Sequence, residues 1–148
     1  MAIITLAGDY GYVLLAVSST YFVNFYHSLL TATARKGAGV QYPNAYASDE
    51  LAAKDPKAFK FNCAQRAHGQ FLEQLTPTVA VLLISGLRFP LASAGMGLGW
   101  TLSRILYARG YINNGPKGRE LGAITSYLMS IGLALTSVYT GAMLVLEK

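Results

Sequence analysis

Charge is scarce in this sequence: 13% of its 148 residues are Asp, Glu, Lys or Arg, while 53% are hydrophobic. Soluble domains carry about a quarter charged residues, so a fully water-facing surface is excluded. Cysteine is nearly absent. The single Cys63 rules out an internal disulfide and cannot build a metal site alone, and is read as structural. A basic region ahead of the first apolar run is missing too: MAIITLAGDYGY carries Asp9 instead, so a retained anchor is expected there rather than a cleaved signal peptide. The chain has no internal repeat, low-complexity tract or soluble domain, and this ranks a channel or transporter last. Its two histidines, His27 and His68, have no neighbours to complete a ligand set, so they are read as packing residues and no metal is assigned.

What the chain does have is long uncharged runs, at 10–34, 74–87, 89–103 and 121–146. A membrane span needs about 20 largely apolar residues. The outer two runs pass unaided, whereas the middle two reach that length only by extending through Arg66 and Glu73 or through Arg104. The expected fold is an all-α membrane protein, one domain over 1–148 built as a four-transmembrane-helix bundle. Its helices are expected at about 10–35, 61–87, 89–111 and 120–146, joined on one side by loops 36–60 and 112–119. The breaks are marked by KGAG with the following YP pair, by RFP and by NNGPKG. A short helix is expected around ASDELAAKD in the first loop.

The net charge of +5 follows this topology. Arg35, Lys36, Lys54, Lys57, Lys60, Arg109, Lys117 and Arg119 fall on the side of the two loops, against Arg88 and Lys148 on the other. The excess predicts cytoplasmic loops and a basic rim at the lipid headgroups, with no need for a nucleic acid. Small residues in the spans, GMGLG at 95–99 and Gly122, Gly132 and Gly141, suit close helix packing in lipid, and four short helices favour oligomerisation.

The second span raises the functional question. In FNCAQRAHGQFLEQLTP, at about 100° per residue with Arg66 as zero, Asn62 falls at about −40°, Gln70 at about +40°, Glu73 at about −20° and Gln74 at about +80°. Polar groups are thus sorted to one side. Placing a charged side chain at the bilayer centre costs about 2.5–3.5 kcal/mol, so two on one stripe require compensation. An Arg66–Glu73 pairing or snorkelling would supply it. The third span repeats the arrangement in WTLSRILYARGY, where Tyr107 and Tyr111 lie on the face of Arg104. Topology is expected to bring Arg35, Lys36, Arg66, Gln70, Glu73, Arg104, Tyr107, Tyr111 and Arg119 to one level. Guanidinium groups suit carboxylates and a glutamate suits an ammonium, which together describe a pocket for an anionic ligand with an amine.

The segments FNCAQRAHGQFLE, ARKGAGVQYP and RILYARGY resemble the membrane-associated proteins in eicosanoid and glutathione metabolism (MAPEG), most closely the microsomal glutathione transferase type 3 branch. The resemblance runs over nearly the whole chain. It implies a homotrimer in the endoplasmic reticulum or mitochondrial outer membrane, with glutathione held between neighbouring subunits. It further implies that Arg35 and Arg66 contact glutathione carboxylates, that Glu73 meets its amino group, that Gln70, Gln74, Arg104, Tyr107 and Tyr111 line the site, and that Arg119 activates the thiol. Gln70 stands where many relatives have Asn, and Gln74 where some have Tyr. Lys36 replaces a second arginine implicated in leukotriene C4 synthase-like chemistry, which weighs against that activity while keeping Lys36 among the expected catalytic residues.

The expected activity is glutathione conjugation to lipophilic electrophiles, with glutathione-dependent reduction of lipid hydroperoxides beside it. The implied partners are glutathione, a lipophilic acceptor and membrane lipid. The alternative is a non-catalytic protein of the same superfamily that presents lipid to another enzyme.

Overall fold

The computed structural model describes residues 8–147, and every structural statement below refers to these. Residues 1–7, part of the stretch whose lack of basic residues argues against a cleaved signal peptide, and the Lys148 charge lie outside them. Five helices follow in order: α1 (Tyr10–Ala38), α2 (Asp49–Lys54), α3 (Pro56–Gly86), α4 (Pro90–Gly118) and α5 (Glu120–Leu146). No strand occurs among the described residues.

Local chemistry sets the helix ends. α1 closes on Gly39, whose φ of 66° is the left-handed region that favours glycine and lets its N–H reach the Lys36 carbonyl. Arg35 and Lys36 sit in the last turn of α1, where cations oppose the exposed carbonyls. Ser48 caps α2, its hydroxyl accepting from Leu51 N–H at 3.2 Å. Asp55 caps α3, its carboxylate accepting from Lys57 N–H at 2.8 Å with Pro56 in the first turn. α3 therefore begins at Pro56, earlier than the expected 61, and the first loop is shorter than 36–60.

α4 also departs from expectation, passing 111 to reach Gly118. The NNGPKG stretch does break the helix, as expected. The break falls at Gly115, whose φ of 66° and ψ of −157° are not helical, and a short helical turn from Pro116 to Gly118 follows it. The second loop expected at 112–119 thus holds this break between the end of one helical stretch and a short turn, and α5 starts two residues after Gly118.

α3 and α4 lie centrally, each packing on both α1 and α5, whereas α1 and α5 do not meet. The buried stripe of α1 runs Val13, Ala16, Thr20, Val23, His27, Thr31 and Arg35 at helical spacing. It packs first on Leu82 and Ala94, then on Phe71 and Trp100. A Cβ at Gly97 would lie 2.8 Å from Leu82, and one at Gly122 would press into the Tyr107 backbone, so both glycines permit close helix approach. Ser85 bridges Ser93 at 2.7 Å and Thr136 at 2.6 Å, joining α3, α4 and α5 by hydroxyls.

At the end away from the loops, Arg88 forms a forked ion pair with Glu147, at 3.0 and 2.8 Å. Two helices, Tyr10–Ala38 and Glu120–Leu146, are long and apolar enough to cross a membrane by themselves. α3 and α4 carry the charge that the sequence places inside their spans.

Candidate functional site

At the loop end of the bundle, the first loop with α2, together with α3 and α4, encloses an open cleft of about 460 Å³. Its walls include Tyr46, Phe59, Asn62, Cys63, Arg66 and Tyr111. Arg66 projects from α3 and pairs with Glu73 two turns deeper, at 2.8 Å. The two side chains are 47% and 54% exposed, so this ion pair lies on the outer surface of the single chain.

Arg119 enters from the α4–α5 junction. Its guanidinium lies 4.8 Å over the Tyr111 ring and donates to the Tyr107 hydroxyl in a long contact of 3.5 Å. Tyr107 and Tyr111 stand edge to face, with centroids 5.9 Å apart. No carboxylate pairs with Arg119 among the described residues. It is a cation held by two phenols and left free to meet an anion.

Arg104 lies behind the phenols, only 1% exposed, with its guanidinium 4.3 Å from the Tyr107 ring and 5.9 Å from the Trp100 ring. A desolvated cation–π contact contributes about 2 kcal/mol, comparable to the cost of placing the charge in a span. The rings therefore offset burial of the charge, yet Arg104 Nε and Nη2 have no acceptor among the described residues. Gln70 is similar: its amide donates to Tyr127 Oη at 3.5 Å while Oε1 stays unpartnered. Polar atoms left in this state suit a ligand or ordered water.

Arg35 and Lys36 do not join this group within one chain, contrary to the convergence expected from sequence. Arg35 is buried on the Phe61 ring, 4.6 Å away, and donates to the Asn44 and Ala45 carbonyls at 2.7 and 3.4 Å. Phe61 and Arg66 are about 140° apart around α3, so a side chain reaching one face cannot serve the other. Arg35 lines separate clefts with Tyr42, one of which also receives Gln65 and His68 and the other Lys36. Lys36 itself is exposed. Gln74, half-buried, makes no side-chain hydrogen bond among the described residues.

The first loop is clipped from two sides. Arg35 holds Asn44 and Ala45, while Asn62 accepts from Ala47 N–H at 2.8 Å and donates to Ala47 O at 3.0 Å. Tyr46 is fixed between the clips and forms part of the cleft wall. Sequence reasoning passed over Tyr46 and Tyr127. Asn62 had a signal in its place on the polar stripe, but Tyr127 could be matched to Gln70 only once α3 and α5 were known to touch. Cys63 is buried and also lines the cleft. His27 fits its packing role: Nε2–H donates to the Arg104 carbonyl at 3.3 Å and the ring stacks on Phe71.

Arg66 and Tyr111 thus line the cleft, and their contacts carry Glu73 on one side and Arg119 with Tyr107 on the other, at one end of a largely apolar bundle. The sequence profile described as the MAPEG family matches residues 13–139, a range that takes in all of these site residues.

Proposed function

Because the chain belongs to the MAPEG family of integral membrane proteins in glutathione and eicosanoid metabolism, we propose that it is a microsomal glutathione transferase, nearest in kind to the type 3 branch. Its four long helices cross the membrane with the loops expected at 36–60 and 112–119 in the cytosol, in the endoplasmic reticulum or mitochondrial outer membrane, and it acts as a homotrimer. The observation that carries this reading is Arg119, a cation held by Tyr107 and Tyr111 without a carboxylate partner.

An ordinary thiol has a pKa of about 8.5, and the thiolate is the nucleophile. Arg119 stabilises the thiolate of bound glutathione by charge and not as a base, since a guanidinium keeps its proton. Arg66 binds a glutathione carboxylate and Glu73 its ammonium, each exchanging the internal 2.8 Å pair for a ligand charge. Gln70 and Arg104 supply further hydrogen bonds from their unpartnered atoms, with Gln74 on the flank. Arg35 and Lys36 face the other side of the chain and serve the site of a neighbouring copy.

In conjugation, the thiolate attacks an electrophilic carbon. The S–C bond forms as the leaving group departs with its electron pair, or, in addition, as that pair moves into the acceptor, which then takes a proton. In hydroperoxide reduction, the thiolate attacks the terminal peroxide oxygen and the O–O bond breaks. The alkoxide takes a proton to become an alcohol, and a second glutathione displaces hydroxide from the sulfenic acid to give disulfide and water. The lipophilic reactant enters from the bilayer.

The test is glutathione binding by calorimetry and conjugation of 1-chloro-2,4-dinitrobenzene by the detergent-solubilised protein. Saturable binding with turnover is expected. Absence of glutathione binding would overturn this reading in favour of the non-catalytic lipid-presenting one.

A further inference from the structure

A second cleft lies on the opposite side of α3. It is an open groove of about 470 Å³, walled by α1 through Tyr26, Leu30, Thr33 and Gly37, closed by Ile112 of α4, and bordered by Lys57 and Lys60 of α3. The four α1 residues recur at i, i+4, i+7 and i+11 and so form one continuous stripe. On α3 the two lysines lie about 120° or more from Asn62 and Arg66, which places the groove away from the glutathione cleft.

The chemistry of this groove is divided along its length. Its wall is almost wholly apolar, and its one polar edge is cationic. Lys57 and Lys60 are both exposed, and neither pairs with a carboxylate among the described residues. Lys54, by contrast, is neutralised by Glu50 at 2.6 Å. Asp55, the nearest acid, spends its carboxylate capping α3 at Lys57 N–H. The groove opens at the loop end of the bundle, at the level where helices α1 and α4 finish and α3 begins.

We propose that this groove is a binding site for an anionic phospholipid of the leaflet bordering the first loop, with an acyl chain along the α1 stripe and the headgroup phosphate on Lys57 and Lys60. Charge decides the occupant. A zwitterionic lipid would gain the apolar contact but bring a choline cation towards two lysines, whereas an anionic one satisfies both. Each lysine near a membrane surface contributes about 1 kcal/mol towards anionic lipid, or roughly fivefold. The 470 Å³ volume lies in the range of ligand sites. The cation excess at this end of the chain also acquires a specific use here, beyond fixing orientation.

The protein reconstituted in phosphatidylcholine bilayers with trace spin-labelled phosphatidylserine or phosphatidylcholine provides the test. Electron spin resonance reads the motionally restricted fraction of each label. Preference for phosphatidylserine is expected to be roughly five- to twenty-fold, falling to near one in the K57Q/K60Q double variant and staying unchanged in K54Q. Thr33→Trp, which fills the groove from an exposed position and leaves both lysines in place, is expected to lose the same preference. Equal restriction of both labels in the wild type would overturn the proposal, as expected if another copy or another protein covers the groove. A preference that survives K57Q/K60Q, or that falls equally in K54Q, would also overturn it.

Discussion

Arg119 and Arg66 carry the same charge but should fail differently when removed. Arg119 has no acidic partner and rests on Tyr107 and Tyr111, so its charge is available to an anion forming in the cleft. Arg119→Ala is expected to lower kcat about 100-fold, the loss typical when one preorganised donor to a developing anion is removed, with the KM for glutathione little changed. Arg66→Ala removes a binding contact and leaves Glu73 unpaired, so KM should rise about tenfold or more while kcat changes less. Steady-state kinetics over a range of glutathione concentrations separates the two. Arg66 was legible as a site candidate because charge inside a lipid span requires a reason, whereas Arg119, in the expected loop 112–119, was reached through topology and the family resemblance. Arg104 was legible as a member of the group, but not its position behind the phenols. That depended on how Trp100 and Tyr107 pack.

Among the elements, the α4–α5 contact and the loop clip position the site. A Cβ on Gly122 would press into the Tyr107 backbone and lie 2.8 Å from the Ser103 carbonyl oxygen. Gly122→Ala should therefore push α5 off α4, at about 1–3 kcal/mol for overpacking, and carry Tyr107 with it. A lower Tm in detergent with a parallel loss of turnover is expected. Asn62→Ala removes both hydrogen bonds to Ala47, so trypsin should cut the first loop at exposed Lys54 faster than in the wild type. At the opposite end, the Arg88 guanidinium hydrogen-bonded to Glu147 holds that carboxyl below the usual carboxylate range. A carboxyl lowered by folding stabilises the folded state above its unfolded pKa of about 4.3, and that contribution is lost as pH falls through the lower folded value. Hydrogen-exchange protection near Met143, taken relative to the intrinsic rate, should fall as pH drops below the ordinary glutamate range, and Glu147→Gln should remove that loss. The helix ends show where sequence reading stops. Asp55–Pro56 was a readable cap followed by a first-turn proline, yet hydrophobicity placed the start at 61. NNGPKG reads as a terminator, and Gly115 does break the helix, though helical turns extend past the expected end at 111.

For the molecule as a whole, the all-helical class and the membrane family were legible from apolar runs and the FNCAQRAHGQFLE segment. The division of the polar residues into two faces was not. Helical angles sort residues around one helix but do not say which helices touch, and Arg35 faces Phe61 and the loop while Arg66 faces the cleft. If a site needs both faces, neighbouring copies must supply them. Co-expressing Arg35→Ala with Arg119→Ala should then restore activity to about a quarter of the sites in randomly mixed trimers, as each mixed interface can join two intact faces. Absence of recovery would place the whole site in one chain. The role proposed for Arg119 is to hold glutathione as its thiolate. The most direct measurement is the ultraviolet thiolate absorbance of glutathione on mixing with the purified protein, with binding followed by calorimetry in parallel. A thiolate signal near neutral pH that disappears in Arg119→Ala while binding persists is the predicted result. An equal signal in the variant, or none in the wild type despite bound glutathione, would contradict it.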